Sequence, residues 1–169
     1  PWPPLEDSLV RGRVRHGGFL DGADAFDSSV FSISSAEAHA MDPQHRLLLE
    51  RGYAALLHSG FSRALLLGSV TAVCVGIQAM DFLVVLAESQ GGGGVYAATG
   101  YQHAIASGRL SYALGLQGAC VSYDTACSAA LAASHAALRT VELAECTAAA
   151  VHGVNLMLLP SAATSLGVA

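Results

Sequence analysis

Cys127 is the residue of this chain best placed to do chemistry. It lies in Val121-Ser122-Tyr123-Asp124-Thr125-Ala126-Cys127-Ser128-Ala129-Ala130-Leu131, where a β-branched and aromatic run gives way to an Ala-rich stretch with helical periodicity. That change of pattern reads as a strand-to-helix turn with the cysteine at the helix start. A cysteine there faces unpaired backbone N–H groups and the positive end of the helix dipole, and both favour thiolate over thiol. The chemistry this supports is nucleophilic, covalent catalysis. A buried, inert cysteine closing a core strand shows the same local pattern, and spacing does not separate the two.

A cysteine nucleophile normally works with a base or a charge partner, so the histidines at positions 16, 39, 45, 58, 103, 135 and 152 are the next candidates. His135 follows Cys127 by eight positions on the same predicted helix. At ~1.5 Å per residue the two backbones stand roughly 12 Å apart, too far for direct proton exchange. His135 therefore reads as a packed core or interface histidine. His39 and His45 have no recognised metal-ligand spacing and are expected at the surface. His152 precedes a glycine at a strand end and reads as structural. No metal site is expected, and no Gly-x-Ser-x-Gly nucleophile elbow occurs, which argues against an ordinary α/β-hydrolase. The residues alone lead as far as cysteine-dependent acyl transfer.

The elements that must position Cys127 follow from the pattern around it. Residues 1–35 are rich in Gly, Asp, Ser and Pro, with Phe19, Phe26 and Phe31 as isolated anchors. They predict an irregular arm over 1–40 ahead of a core over 41–169. Asp42-Pro43 supplies an N-cap and a first-turn proline, and the apolar spacing beyond it predicts a helix over about 43–59, ending near Gly60. Val70 to Ile77 is almost continuously apolar and β-branched, as in a strand covered on both faces. A short helix over 78–90 is broken by Gly91-Gly92-Gly93-Gly94, which reads as a loop because no Gly-Lys-Ser/Thr follows. A helix over 102–114, a strand over 119–125, a helix over 127–139 and a strand over 147–152 complete the series. The last helix is expected in the core, with Leu131, Ser134 and Leu138 on one face. Alternating helices and strands indicate an α/β fold with a mainly parallel sheet.

Composition removes several function classes. The chain has 169 residues, 53% hydrophobic and only 12% charged, with a net charge of −5. All of its basic residues are Arg. Without Lys there is no Schiff-base chemistry and no P-loop lysine, and no basic stripe exists to bind nucleic acid. The charge-free stretches 64–80 and 146–169 are interrupted by polar residues and Gly, and read as buried strands and loops rather than membrane spans. No signal peptide is visible. Cys74, Cys120, Cys127 and Cys146 lack paired short spacings, which suits reduced thiols in a cytoplasmic compartment, with a plastid as the alternative.

Five segments, in order, resemble the β-ketoacyl synthase (ketosynthase) domain of type I polyketide synthases. They are Gly17-Gly18-Phe19-Leu20-Asp21-Gly22-Ala23-Asp24-Ala25-Phe26-Asp27, Met41-Asp42-Pro43-Gln44-His45-Arg46-Leu47-Leu48-Leu49-Glu50, Gly108-Arg109-Leu110-Ser111-Tyr112, Asp124-Thr125-Ala126-Cys127-Ser128 and Gly153-Val154-Asn155. The resemblance implies a thiolase-like layered α/β fold, of which this chain is most of the N-terminal half. It implies that Cys127 accepts an acyl chain from the phosphopantetheine arm of an acyl carrier protein. A carrier-bound malonyl unit then decarboxylates and its carbanion attacks the thioester, a Claisen condensation. No cofactor is implied as bound directly. A homodimer pairing the strand Ala119–Thr125 across a two-fold axis is also implied.

The departures from the family pattern are specific. Ala129-Ala130 stands where serines are usual, Gly108 where Asn is usual, His45 where Gln is common, and His152 where Gly is common. The family's His-Gly-Thr-Gly-Thr-like and Asn-Ile-Gly-His-like motifs and its lysine do not occur in these 169 residues. An isolated chain is therefore expected to be acylated at Cys127 without condensing. The alternatives are a non-catalytic ketosynthase-like fragment for dimerisation or carrier binding, and a fatty acid synthase ketosynthase.

Overall fold

The apolar run ahead of Gln78 becomes the central strand of a three-stranded parallel sheet. In the computed structural model, which describes residues 17–89, 94–161, 163 and 164, β1 is Thr71–Ile77, β2 is Cys120–Tyr123 and β3 is Ala148–Val154, in the order β2-β1-β3. Every residue of β1 is buried, as its unbroken apolar sequence requires of a strand covered on both faces. The helices are α1 (Ser35–Ala40), α2 (Pro43–His58), α3 (Arg63–Leu66), α4 (Asp81–Glu88), α5 (Ala97–Gly100), α6 (His103–Leu114) and α7 (Ala129–Glu142). The expectations for residues 1–16, for Gly91 to Gly93 and for the end of the apolar tail lie outside the described residues.

Local chemistry accounts for the ends of these elements. Asp42 caps α2 by accepting the Gln44 N–H at 2.8 Å, with Pro43 in the first turn, and the chain leaves the helix through Gly60 at φ +89°. α6 stops at Gly115, whose φ of +66° directs the chain into β2. Within the predicted irregular arm the structure has two short helical segments, a 3₁₀ turn at Ser28–Phe31 and α1. Asp27 and Ser34 cap them, so single side-chain caps order stretches that lack an apolar period. Phe26 and Phe31 stack at 5.7 Å and Phe31 meets Tyr53 edge-on, whereas Phe19 is 86% exposed and anchors nothing.

The pleat of the sheet divides the core. Val73, Val75 and Ile77 face α2 and α6, where Leu48, Leu49, Leu110 and Leu114 close the larger cluster. Cys74 faces α7, beneath Ala133 and Ala137. The sheet is thus the middle of three layers.

The face of α7 that packs is not the one expected. Leu131 and Leu138 are 74% and 56% exposed, and Ala129, Ala133 and Ala137 are buried instead. The short alanines let the helix backbone settle close to glycines in the strands below, a fit that leucine would prevent.

Candidate active site

β1 and β3 run side by side and end together, with Gly76 in register with Gly153. β2 ends one strand away, and the chain turns from it into α7 through a single 3₁₀ turn, Ala126–Ser128. Ala126 takes φ +54°, a left-handed conformation unusual for a residue with a Cβ. The turn is held by short polar links. The Ala126 N–H reaches Asp124 Oδ1 at 3.4 Å, and the Ser128 hydroxyl donates to the Thr125 carbonyl at 2.7 Å. Cys127 sits at the apex, exposed, with its thiol free.

The apex opens on a cavity of about 790 Å³ at the carboxyl ends of the strands, walled by Ile77, Ala79, Asp81, Val154 and Met157 with Cys127. No side chain caps the N-terminus of α7. The Ala129 N–H is taken by the Ala126 carbonyl of the preceding turn, and the positive end of the α7 dipole faces Cys127, where negative charge would develop in acyl transfer. Cys127 is exposed, not buried at the end of a core strand as the alternative reading expects.

Two loops form the cavity walls, one after β1 and one after β3, and side chains from outside tie them together. The Gln44 amide, 1% exposed, donates from Nε2 to the Ala79 carbonyl at 2.8 Å and accepts at Oε1 from the Leu156 N–H at 3.1 Å. Asp81 Oδ2 accepts the N–H groups of Leu158 and Leu159, both at 2.9 Å. His103 Nε2 lies 3.1 Å from the same Ala79 oxygen, so that nitrogen carries the proton, and its Nδ1 lies 3.9 Å from Asp124 Oδ2. Asp42, buried beneath Gln44, has its carboxyl pushed above the usual range by desolvation, opposed by the hydrogen bonds from Gln44.

None of the described histidines lines the cavity. His45, expected at the surface, is fully buried, and neither ring nitrogen has a hydrogen-bond partner. Burial, followed by the nearby charges of Arg109 and His103, pushes its pKa down to about 3. His135, expected in the core or an interface, is exposed in this chain because α7 packs through its alanines. His152 keeps a structural place. Its ring points toward α2, where Gly52 leaves room: a Cβ at that glycine would stand 3.2 Å from His152 Nε2.

Sequence reasoning gave no role to Gln44 or Asp81, and none to His103 beyond counting it among the candidate histidines. The signal for Gln44 was its position two residues after a buried N-cap. That for Asp81 was a lone charge in an apolar run.

The geometry agrees with the comparisons to known proteins. The model of the β-ketoacyl synthase N-terminal domain matches residues 5–169. The chain belongs to the β-ketoacyl synthase family. It is 45% identical over 152 residues to the spectinabilin polyketide synthase system protein NorC of Streptomyces orinoci, covering 90% of this chain and 7% of that protein. It is 44% identical over 150 residues to the mycocerosic acid synthase-like polyketide synthase of Mycolicibacterium smegmatis, covering 89% of this chain and 7% of that one. The ketosynthase from module 6 of the bacillaene synthase of Bacillus subtilis superposes with a TM-score of 0.78 at 35% identity, over 88% of this chain and 24% of that one. This β-ketoacyl synthase chain thus spans less than a tenth of those curated relatives. Its layered α/β fold with a parallel sheet is that of the ketosynthase neighbour, as the thiolase-like expectation requires.

Proposed function

We propose that this chain carries the acyl-accepting part of a ketosynthase used in polyketide assembly, with Cys127 as its nucleophile. The observation that carries the reading is the exposed Cys127 thiol, held at a strained turn before an uncapped helix N-terminus and open to an apolar-walled cavity. The Cys127 sulfur attacks the carbonyl carbon of an acyl-phosphopantetheine thioester. The tetrahedral oxyanion forms at the positive end of the α7 dipole, then collapses. The phosphopantetheine sulfur leaves and takes up a proton, and the acyl group remains on Cys127 as a thioester.

Ile77, Val154 and Met157 give the acyl chain an apolar wall, and the partner that presents it is an acyl carrier protein. We assign residues 41–169 to the α/β core and 1–40 to an N-terminal arm. The relatives are polyketide synthases, which favours that pathway class over fatty acid synthesis. Decarboxylation of a malonyl unit calls for the histidine motifs and lysine that these 169 residues do not contain. The chain alone therefore loads without condensing. Four free cysteines suit a reducing, cytoplasmic setting, and no helix among the described residues is long and apolar enough to cross a membrane.

The test is incubation with an acyl-N-acetylcysteamine thioester, followed by intact-mass analysis. One acyl group should add at Cys127 and be lost in Cys127→Ala. Absence of acylation in the folded parent chain would favour the second reading, a carrier-binding or dimerising fragment.

A further inference from the structure

We infer that Gly76 and Gly153 are positioning residues for Cys127, forming a side-chain-free saddle that sets the height of the α7 N-terminus above the sheet. The two glycines are register partners on neighbouring strands, and both face α7. A Cβ at Gly76 would lie 2.5 Å from the carbonyl carbon of Ala129 and 2.5 Å from the amide nitrogen of Ala130. A Cβ at Gly153 would lie 2.9 Å from the Cβ of Ala130. The first turn of α7 therefore rests on both strands at once, on main chain over β1 and on one methyl group over β3. Cys127 precedes that turn by two residues and shares the cavity wall with all four of these residues.

The contacts differ in kind, which makes the inference testable. A Cβ added at either glycine must push the helix start outward, because distances under 3 Å are well inside van der Waals contact. At Gly153 the obstacle is a side chain that can be removed. At Gly76 it is backbone, which no substitution removes. The inference rests on Cys127 as the acyl acceptor, but its test reads thiol reactivity and needs no ketosynthase chemistry. Failure of acyl transfer in the parent chain would therefore be a separate result.

The cysteines supply the readout. Cys127 is exposed, and glutathione added to the same reaction serves as the reference thiol, because Cys120 lies on the edge strand β2. Cys146 is buried and reports unfolding. Iodoacetamide labelling, mapped by tandem mass spectrometry, gives the Cys127-to-glutathione rate ratio with Cys146 as the fold check. Moving the positive end of α7 off the attacking Cys127 sulfur is expected to lower this ratio about tenfold in Gly76→Ala and in Gly153→Ala. Adding Ala130→Gly should return the Gly153→Ala chain to within about twofold of the parent and leave the Gly76→Ala chain depressed.

An unchanged ratio in both folded single variants overturns the inference, as does rescue of both glycine variants alike, which would mean general softening of the helix. If Gly153→Ala unmasks Cys146, the chain carrying Gly153→Ala with Ala130→Gly decides. A protected Cys146 and a restored ratio support the saddle, and anything else overturns it.

Discussion

Gln44 and Leu156 stand 112 positions apart in the chain, yet the buried amide oxygen of the first accepts the main-chain N–H of the second at 3.1 Å. The same amide donates to Ala79, so one side chain from the start of α2 holds both loops of the cavity wall at a fixed separation. Gln44 is buried and Ala79 and Leu156 are half-buried, so loss of the amide costs both main-chain groups their partner in a site of restricted water access.

Gln44→Leu should therefore destabilise the chain by about 1–3 kcal/mol per polar partner left unsatisfied. Amide hydrogen exchange should accelerate at Leu156. Gln44→Glu keeps the acceptor for Leu156 and loses the donor to Ala79, so it should spare Leu156 while still lowering stability. Unchanged exchange at Leu156 in the leucine variant would show that the amide is not what ties the loops.

His45 makes folding sensitive to mild acid. The unfolded chain takes up a proton near the ordinary histidine value of 6.5, and the folded chain does not until about 3. Stability is thus undiminished by His45 above pH 6.5 and falls as the pH drops from there toward 3, by about 1.4 kcal/mol per pH unit. His152, lowered by burial, acts in the same sense. Asp42 opposes them, since its raised carboxyl value contributes stability that is fully present below 3.8 and lost as the pH rises through the folded value. Urea unfolding across the acid range should show this decline, and His45→Gln should flatten it. A slope unaffected by His45→Gln would remove His45 as the cause.

The turn before Cys127 stores backbone strain at Ala126. A left-handed conformation costs an L-residue roughly 1–2 kcal/mol, and glycine avoids this while giving back up to about 1 kcal/mol in chain entropy. Ala126→Gly should raise the unfolding free energy by a net of about 0.5–1 kcal/mol, read as a higher urea midpoint at an unchanged m-value. A lowered midpoint would mean that the links from Asp124 and Ser128 already offset the strain.

The homodimer through β2 that the family resemblance implies has a directional test. The Val73 N–H donates to the Ala119 carbonyl, so Ala119 and Val121 turn their main-chain groups to β1, while Cys120 and Ser122 turn theirs to the outer edge. That edge is unpaired among the described residues. Cys120→Pro removes an outward N–H and leaves the ladder to β1 intact. Sedimentation at micromolar concentration should give a dimer for the parent chain and a monomer for this variant. A parent chain that is monomeric throughout would count against the proposal.

Much of this molecule is legible residue by residue. Asp42-Pro43 starts α2 and Gly115 ends α6 because capping and positive-φ turns depend on a few adjacent residues. The unbroken apolar run of β1 announces a strand buried on both faces, and the change of period at Cys127 marks the turn from β2 into α7. Contacts between distant segments are not legible in this way. The packing of α7 through alanines rather than through Leu131 and Leu138 depends on Gly76 and Gly153 coming into register beneath it. The burial of His45 depends on α6 crossing α2, and the joining of the cavity walls depends on Gln44 reaching two loops at once. Each is a matter of which surfaces meet in space, and a local pattern carries no information about what lies opposite it.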